Sequence, residues 1–200
     1  MTEPLLATSN GDAPGPRRSR IAPFVALAVA LVAAGLFVVL AGADPAQNET
    51  ASTRLLNGPA PEATATHADG STFDLARRKG SWVVLNFFQS TCAPCKREHP
   101  ELVDFVEQQG MLGREGAEFY SVVVDDDVES VEAFFAERGG SWPVVYDDDG
   151  RFAVAFGVAK VPETWVVDPE GIVRLRVISE VSSEFLATTL QQLREARAAT

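Results

Sequence analysis

The chain has 200 residues and a formal net charge of −11, from 17 basic against 28 acidic side chains. That balance speaks against a nucleic-acid partner and against docking on an anionic lipid surface. It holds only two cysteines, Cys92 and Cys95, and two histidines, His67 and His99.

Ile21 to Ala43 contains 23 residues without a charged side chain. As a helix this run is long enough to cross a bilayer core of about 30 Å. Arg17, Arg18 and Arg20 stand just before it, and Asp44 is the first charge after it. By the positive-inside rule, residues 1–20 stay in the cytoplasm, 21–43 form a transmembrane anchor and 44–200 lie outside, bound to the cell membrane. The alternative is a cleaved signal peptide. Ala41-Gly42-Ala43 has the small-x-small pattern, but the run exceeds the usual apolar stretch of about 7–15 residues. No cysteine follows that would carry a lipid anchor. Residues 44–57 are polar, lack apolar periodicity and read as a tether. The exported part keeps 14 basic and 26 acidic side chains, a net of −12.

Residues 58–198 are enough for one ordinary core. Ala63–Thr66 and Ser71–Leu75 are short strands about the turn His67-Ala68-Asp69-Gly70. Trp82–Phe88 is near-continuously apolar, as expected of a central strand covered on both faces. The helix after Cys92 has Leu102, Val103, Phe105 and Val106 on its apolar side, and Pro100 should kink it. Ala117–Val124 is a strand ending in Asp125-Asp126-Asp127. Val128–Arg138 is a helix, and Trp142–Tyr146 a strand followed by Asp147-Asp148-Asp149-Gly150. Both acidic triplets read as solvated turns, because a calcium loop alternates its ligands through a longer segment and closes with Glu. Arg151–Phe156 is a short helix stopped by Gly157. Thr164–Val167 and Ile172–Ile178 form a hairpin, and a last helix over Ser182–Arg197 takes Ser182 or Ser183 as its N-cap. This order gives an α/β fold, a mixed sheet flanked by helices.

Cys92-Ala93-Pro94-Cys95 sits where the central strand should meet a helix. A thiolate at a helix N-terminus meets unpaired N–H groups and the positive end of the helix dipole, so Cys92 should ionise more easily than a free thiol. Cys95, one turn in, can attack a mixed disulfide made by Cys92. As a staple the pair is poor, since so short a loop removes little chain entropy. As a metal site it lacks ligands, for zinc usually needs four. Redox chemistry is the reading that remains, with the Cys92–Cys95 disulfide and no further cofactor or metal.

The chain resembles the membrane-anchored thioredoxin-like proteins of the TlpA, ResA and CcmG (DsbE) group. The resemblance rests on Gly58-Pro59-Ala60-Pro61, on Val83-Val84-Leu85-Asn86-Phe87-Phe88, on the stretch from Cys92 to Pro100, and on Gly157 to Asp168. It implies a thioredoxin-like fold and a protein-disulfide reductase of exported proteins, such as apocytochrome c during cytochrome c maturation. A membrane thiol–disulfide donor of the CcdA or DsbD kind would recharge it. Pro162 corresponds to the group's cis-proline, and the backbone around Val161 is implied to pair with an extended client peptide. Asn86 stands where ordinary thioredoxins keep a buried Asp that manages the resolving cysteine's proton. Glu98, three residues after Cys95 on one helix face, is the candidate replacement. Glu163, next to Pro162, is placed in the same groove, and His99 reads as a solvent-facing helix residue. Two departures stand out: Thr91 replaces the Trp usual before the first cysteine, and Phe88-Gln89 replaces the commoner aromatic-small pair.

Two other functions compete. The same cysteines can oxidise secreted proteins, although Ala93-Pro94 offers no histidine to stabilise a thiolate and the large helical insertion of dedicated oxidases is missing. A copper-delivery protein would use soft thiolates, but with wider cysteine spacing and a distant histidine. A peroxiredoxin is disfavoured because Gln89, not Thr, lies three residues before Cys92.

Overall fold

A computed structural model of the chain describes residues 22–41 and 47–199. Residues 1–45 and 46–200 form separate units. In the first, α1 spans Ala22–Ala41, and its side chains from Pro23 to Val38 are all exposed, including Phe24, Leu31 and Phe37. A helix apolar on every side has no polar face to turn to water. Among the described residues, no helix is long and apolar enough to cross a membrane. The expected cytoplasmic terminus, 1–20, and both ends of the 21–43 run lie outside the described residues.

Among its described residues the second unit has seven strands: β1 Thr64–His67, β2 Thr72–Asp74, β3 Val83–Phe88, β4 Glu118–Val123, β5 Val144–Tyr146, β6 Glu163–Val167 and β7 Val173–Val177. They form one mixed sheet in the order β2-β1-β5-β4-β3-β6-β7. β3 pairs in parallel with β4 and antiparallel with β6. All six β3 residues are buried, and they divide by parity, as a two-residue repeat requires. Val83, Leu85 and Phe87 join Phe152 and Phe156 of α4 (Arg151–Phe156) on one face. Val84 joins Leu102 and Phe105 of α2 (Ala93–Met111), and Leu186 and Leu190 of α5 (Ser183–Ala198), on the other. Phe88 packs on that second face with Cys95 and with Val131 and Phe134 of α3 (Val128–Arg138).

The helix starts are closed by side chains chosen for the purpose. Asp127 accepts from Ser130 N at 2.9 Å at the start of α3, and Ser182 Oγ from Phe185 N at 3.3 Å at the start of α5. α2 continues through Pro100 as a single 19-residue helix, with Pro100 on its exposed side.

Residues 47–57, expected as a free tether, are instead laid along β7. Asn48 N donates to Glu180 O at 2.7 Å, Ile178 N to Glu49 O at 2.9 Å, Ala51 N to Arg176 O at 3.1 Å and Asn57 N to Val173 O at 2.8 Å. Leu55 and Leu56 pack against the core. The attachment is made mostly through backbone groups, which is why an irregular polar sequence gives no sign of it. It also covers a sheet edge that would otherwise stand open. A chain starting at Gly58 is therefore expected to unfold in urea with a stability about 2 kcal/mol or more below that of a chain starting at Ala46, from the loss of two partly buried leucines. Equal midpoints would mean that the segment is passive.

Candidate active site

β3 delivers the chain to Cys92 at the C-terminal edge of the sheet, and α2 begins there. Cys92 is the N-cap residue, and its Sγ accepts from Cys95 N at 3.2 Å. The backbone donor that would stabilise a Cys92 thiolate is thus already aimed at the sulfur. Cys92 and Cys95 are joined as a disulfide with a Cα–Cα distance of 5.2 Å. The two sulfurs are not equivalent: Cys92 is half-buried, whereas Cys95 is only 2 % exposed. The Val161–Pro162 bond is cis, Pro162 is buried, and the Val161 carbonyl oxygen lies 3.8 Å from Cys92 Sγ. Gln89, three residues before Cys92, donates through Nε2 to the Asp125 carbonyl at 3.1 Å.

Asn86 and Glu98, read separately from the sequence, are hydrogen-bond partners. Parity places Asn86 on the α2 face of β3, where its Nδ2 donates to Glu98 Oε1 at 2.8 Å and to Thr164 Oγ1 at 3.1 Å. Val181 N donates to Glu98 Oε2 at 3.1 Å. Glu98 is 2 % exposed and one helical turn beyond Cys95 on the buried side of α2. Burial pushes its carboxyl up to about 8; the Asn86 and Val181 bonds oppose the rise, and the nearby negative charge of Glu180 adds to it. Glu180 itself is paired with Arg97, whose Nε lies 3.2 Å from Oε1. The turn carrying Val181 is further held by Asn48, whose Oδ1 accepts from Ser182 N at 2.9 Å.

Glu163 is corrected. It lies opposite Phe87 in the β3–β6 register, on the α4 face of the sheet and therefore away from α2 and Glu98. Its carboxylate is 1 % exposed, accepting from Trp165 Nε1 at 2.7 Å and from Arg176 Nε at 2.9 Å. It braces the sheet and does not face a client. His99 is also corrected: it is 3 % exposed, its ring lies 4.7 Å from that of Phe134 and 5.3 Å from that of Trp142, and Nε2 lies 2.9 Å from Gly139 O. Burial lowers its pKa, so it is a neutral core residue at physiological pH. Among the described residues, no group of three or more His, Cys, Asp or Glu side chains is arranged to hold a metal ion.

Glu98 makes stability depend on pH. A carboxyl that holds its proton more tightly when folded contributes fully below its ordinary value of 4.5, and that contribution is lost as pH rises towards about 8. The slope is about 1.4 kcal/mol per pH unit. In the oxidised protein, where the cysteines do not titrate, Glu98→Gln is expected to remove this decline in urea unfolding between about pH 5 and pH 8. A constant offset from the altered Val181 contact would leave the slope as the readout. An undiminished slope would assign it to another group.

Comparison with known proteins matches residues 56–176 to the AhpC/TSA family. The thiol-disulfide oxidoreductase ResA of Bacillus subtilis is 31% identical over 125 residues, covering 62% of this chain and 68% of that protein. The thiol:disulfide interchange protein HelX of Rhodobacter capsulatus is 31% identical over 127 residues, covering 63% and 68%. Among solved structures, a thiol:disulfide interchange protein of the thioredoxin family from Chlorobium tepidum superposes with a TM-score of 0.59 at 25% identity, covering 71% of this chain and 98% of its own.

Proposed function

The chain belongs to the AhpC/TSA family and is a thiol–disulfide oxidoreductase of thioredoxin-like fold, and from this we propose that it works outside the cytoplasm as a dithiol reductant of exported proteins. The observation that carries the reading is the asymmetry of the two sulfurs above a buried carboxyl group. Cys92 is half-buried at the helix start and can be reached, while Cys95 is enclosed one turn before Glu98.

In the reaction, the Cys92 thiolate attacks one sulfur of the client disulfide. A Cys92–client disulfide forms and the first client thiolate leaves. Cys95 gives up its proton, attacks Cys92 Sγ and releases the second client thiolate, closing the Cys92–Cys95 disulfide. Two electrons pass to the client, whose two thiolates take up two protons, one matching the proton given up by Cys95 and one from solvent. The cis-proline loop supplies the Val161 carbonyl to an extended client backbone. Glu98, when ionised, takes the Cys95 proton.

Charge supports this direction. A couple is strongly oxidising when its thiolate is stabilised in the reduced state. Here neither neighbour supplies a positive charge to a thiolate: Glu98, one turn beyond Cys95, is neutral or anionic, and the ring of His99 is turned to Gly139 O, which supports a reducing couple. Clients such as apocytochrome c and a membrane donor of the CcdA or DsbD kind are part of this proposal. So is anchoring through the uncharged run 21–43, with the cysteine pair as the only redox group.

Equilibration of the pair in a defined dithiothreitol buffer is expected to give a reduction potential well below the roughly −120 mV of a strong oxidant. A value near −120 mV would instead favour the oxidase reading. In spheroplasts, Cys95→Ser is expected to accumulate a mixed disulfide on Cys92 that protease added from outside removes together with the domain. Cys92→Ser is expected to trap nothing. Trapping on Cys95, or protection from protease, would reverse the assignment of roles or of topology respectively.

A further inference from the structure

Beside Cys92, the C-terminal ends of β4 and β5 leave a cavity of about 510 Å³, lined by Thr91, Val123, Tyr146 and the aspartates at 125–127, 147 and 148. Its carboxylates form no ion pair among the described residues. Three of them serve the backbone. Asp126 accepts from Ser90 N at 2.6 Å, Asp127 caps α3, and Asp147, buried rather than solvated, accepts from Phe152 N at 2.9 Å and Ala153 N at 2.8 Å. These bonds hold the negative groups in place without neutralising them. The Asp125 and Asp148 side chains are exposed and accept no hydrogen bond among the described residues.

The second observation is Tyr146. It is 6 % exposed and lines the same cavity, and its hydroxyl, which is not sealed from solvent, bonds no other group among the described residues. Burial, with the charges of Glu132, Asp126 and Asp148, keeps the phenol protonated. The wall therefore presents free carboxylate acceptors and one neutral hydroxyl with unused bonding capacity. An ammonium or guanidinium group has only donors and a positive charge, and it complements such a wall. A bare cation is a poorer occupant, since no metal-holding group of side chains occurs among the described residues. Thr91 ties the cavity to the reaction, because it lines the wall and is the residue next to Cys92.

We propose that this cavity receives a lysine or arginine side chain of the client polypeptide whose disulfide is exchanged at Cys92, so that disulfides flanked by basic residues are selected. The inference rests on the thiol–disulfide exchange assigned to Cys92 above. It adds the client's charge class and leaves the covalent steps as written, with electrons running from the enzyme dithiol to the client disulfide.

The test uses the dithiothreitol-reduced protein, freed of reductant, and two small disulfides of opposite charge: cystamine, a dication, and the disulfide of mercaptoacetate, a dianion. Oxidation of the enzyme is followed by stopped flow at low and high salt. At low salt cystamine is expected to react on the order of tenfold faster or more, after correction for the rates of the two probes with free dithiothreitol. The ratio should collapse as the Debye length shortens from about 30 Å towards 3 Å. Asp125→Asn combined with Asp148→Asn is expected to lower the ratio severalfold, by slowing cystamine and quickening the dianion. Asn is well tolerated at position 125, where φ is 50°. Tyr146→Phe should slow a lysine-flanked disulfide peptide more than a glutamate-flanked one. Equal corrected rates, a salt-independent ratio, or a ratio unchanged in the double variant would overturn the proposal while leaving the oxidoreductase reading intact. Failure of the reduced protein to reduce either probe would overturn both.

Discussion

Glu98 is a carboxyl group set in the core with neutral donors and no cation. Its oxygens accept from Asn86 Nδ2 and Val181 N, and Arg97, the nearest basic residue in sequence, is taken by Glu180. A buried ion without a counter-charge is expensive, so the group is held protonated to near neutrality and can change charge in the range where thiols do. Much of the surrounding structure keeps that arrangement from relaxing. Thr164 holds Asn86 from the next strand. The turn at 179–182, which aims the Val181 N–H, is fastened by Arg97 on one side and by Asn48 on the other. The segment along β7 is therefore part of the frame that positions the carboxyl group and not only a link to what precedes it.

Strand parity decides which polar residues belong to this frame. On β3, even-numbered residues face α2 and odd-numbered ones face α4, so Asn86 meets Glu98 while Phe87 is packed with Phe152 and Phe156. On β6 the same alternation gives Thr164 to the α2 face and Glu163 to the other. Sequence neighbours on a strand are separated by the thickness of the sheet. Proximity to Pro162 thus says nothing about whether Glu163 joins the cysteines, and its bonds to Trp165 and Arg176 settle where it belongs.

What was readable in the sequence was whatever repeats or terminates. The even burial of β3, the apolar side of α2, and the ends of α3 and α4 follow from periodicity and from residues such as Gly157. The position of the cysteine pair at a strand-to-helix junction followed from these. The errors fall where a polar residue finds a distant partner. His99 is enclosed by rings from α3 and by Trp142, none of which is near it in the chain. Asp147 looked like part of a solvated turn, yet its two oxygens close the start of α4. Residues 47–57 dock through backbone atoms, which composition does not encode. A hydrophobic pattern shows which face turns inward, but it does not identify the partner of a buried polar atom.

The electrostatics of the two sulfurs then separate their tasks. At Cys92 the first turn of α2 offers the Cys95 N–H and the positive end of the helix dipole, an effect of about 0.3–1 kcal/mol that can reach about 2 kcal/mol when partly buried. Opposing it are carboxylates at the ends of β4 and β5, whose influence is exposed to salt and screened within about 8–10 Å. At Cys95, one turn further in, any charge that Glu98 takes on acts from inside the core, where salt has little effect. In the proposed reaction the outer sulfur is the one whose surroundings respond to the charge of whatever approaches, and the inner one is enclosed away from it. Keeping the screened charges outside and the unscreened one inside would, in that proposed reaction, let client choice and proton transfer be adjusted independently along one helix.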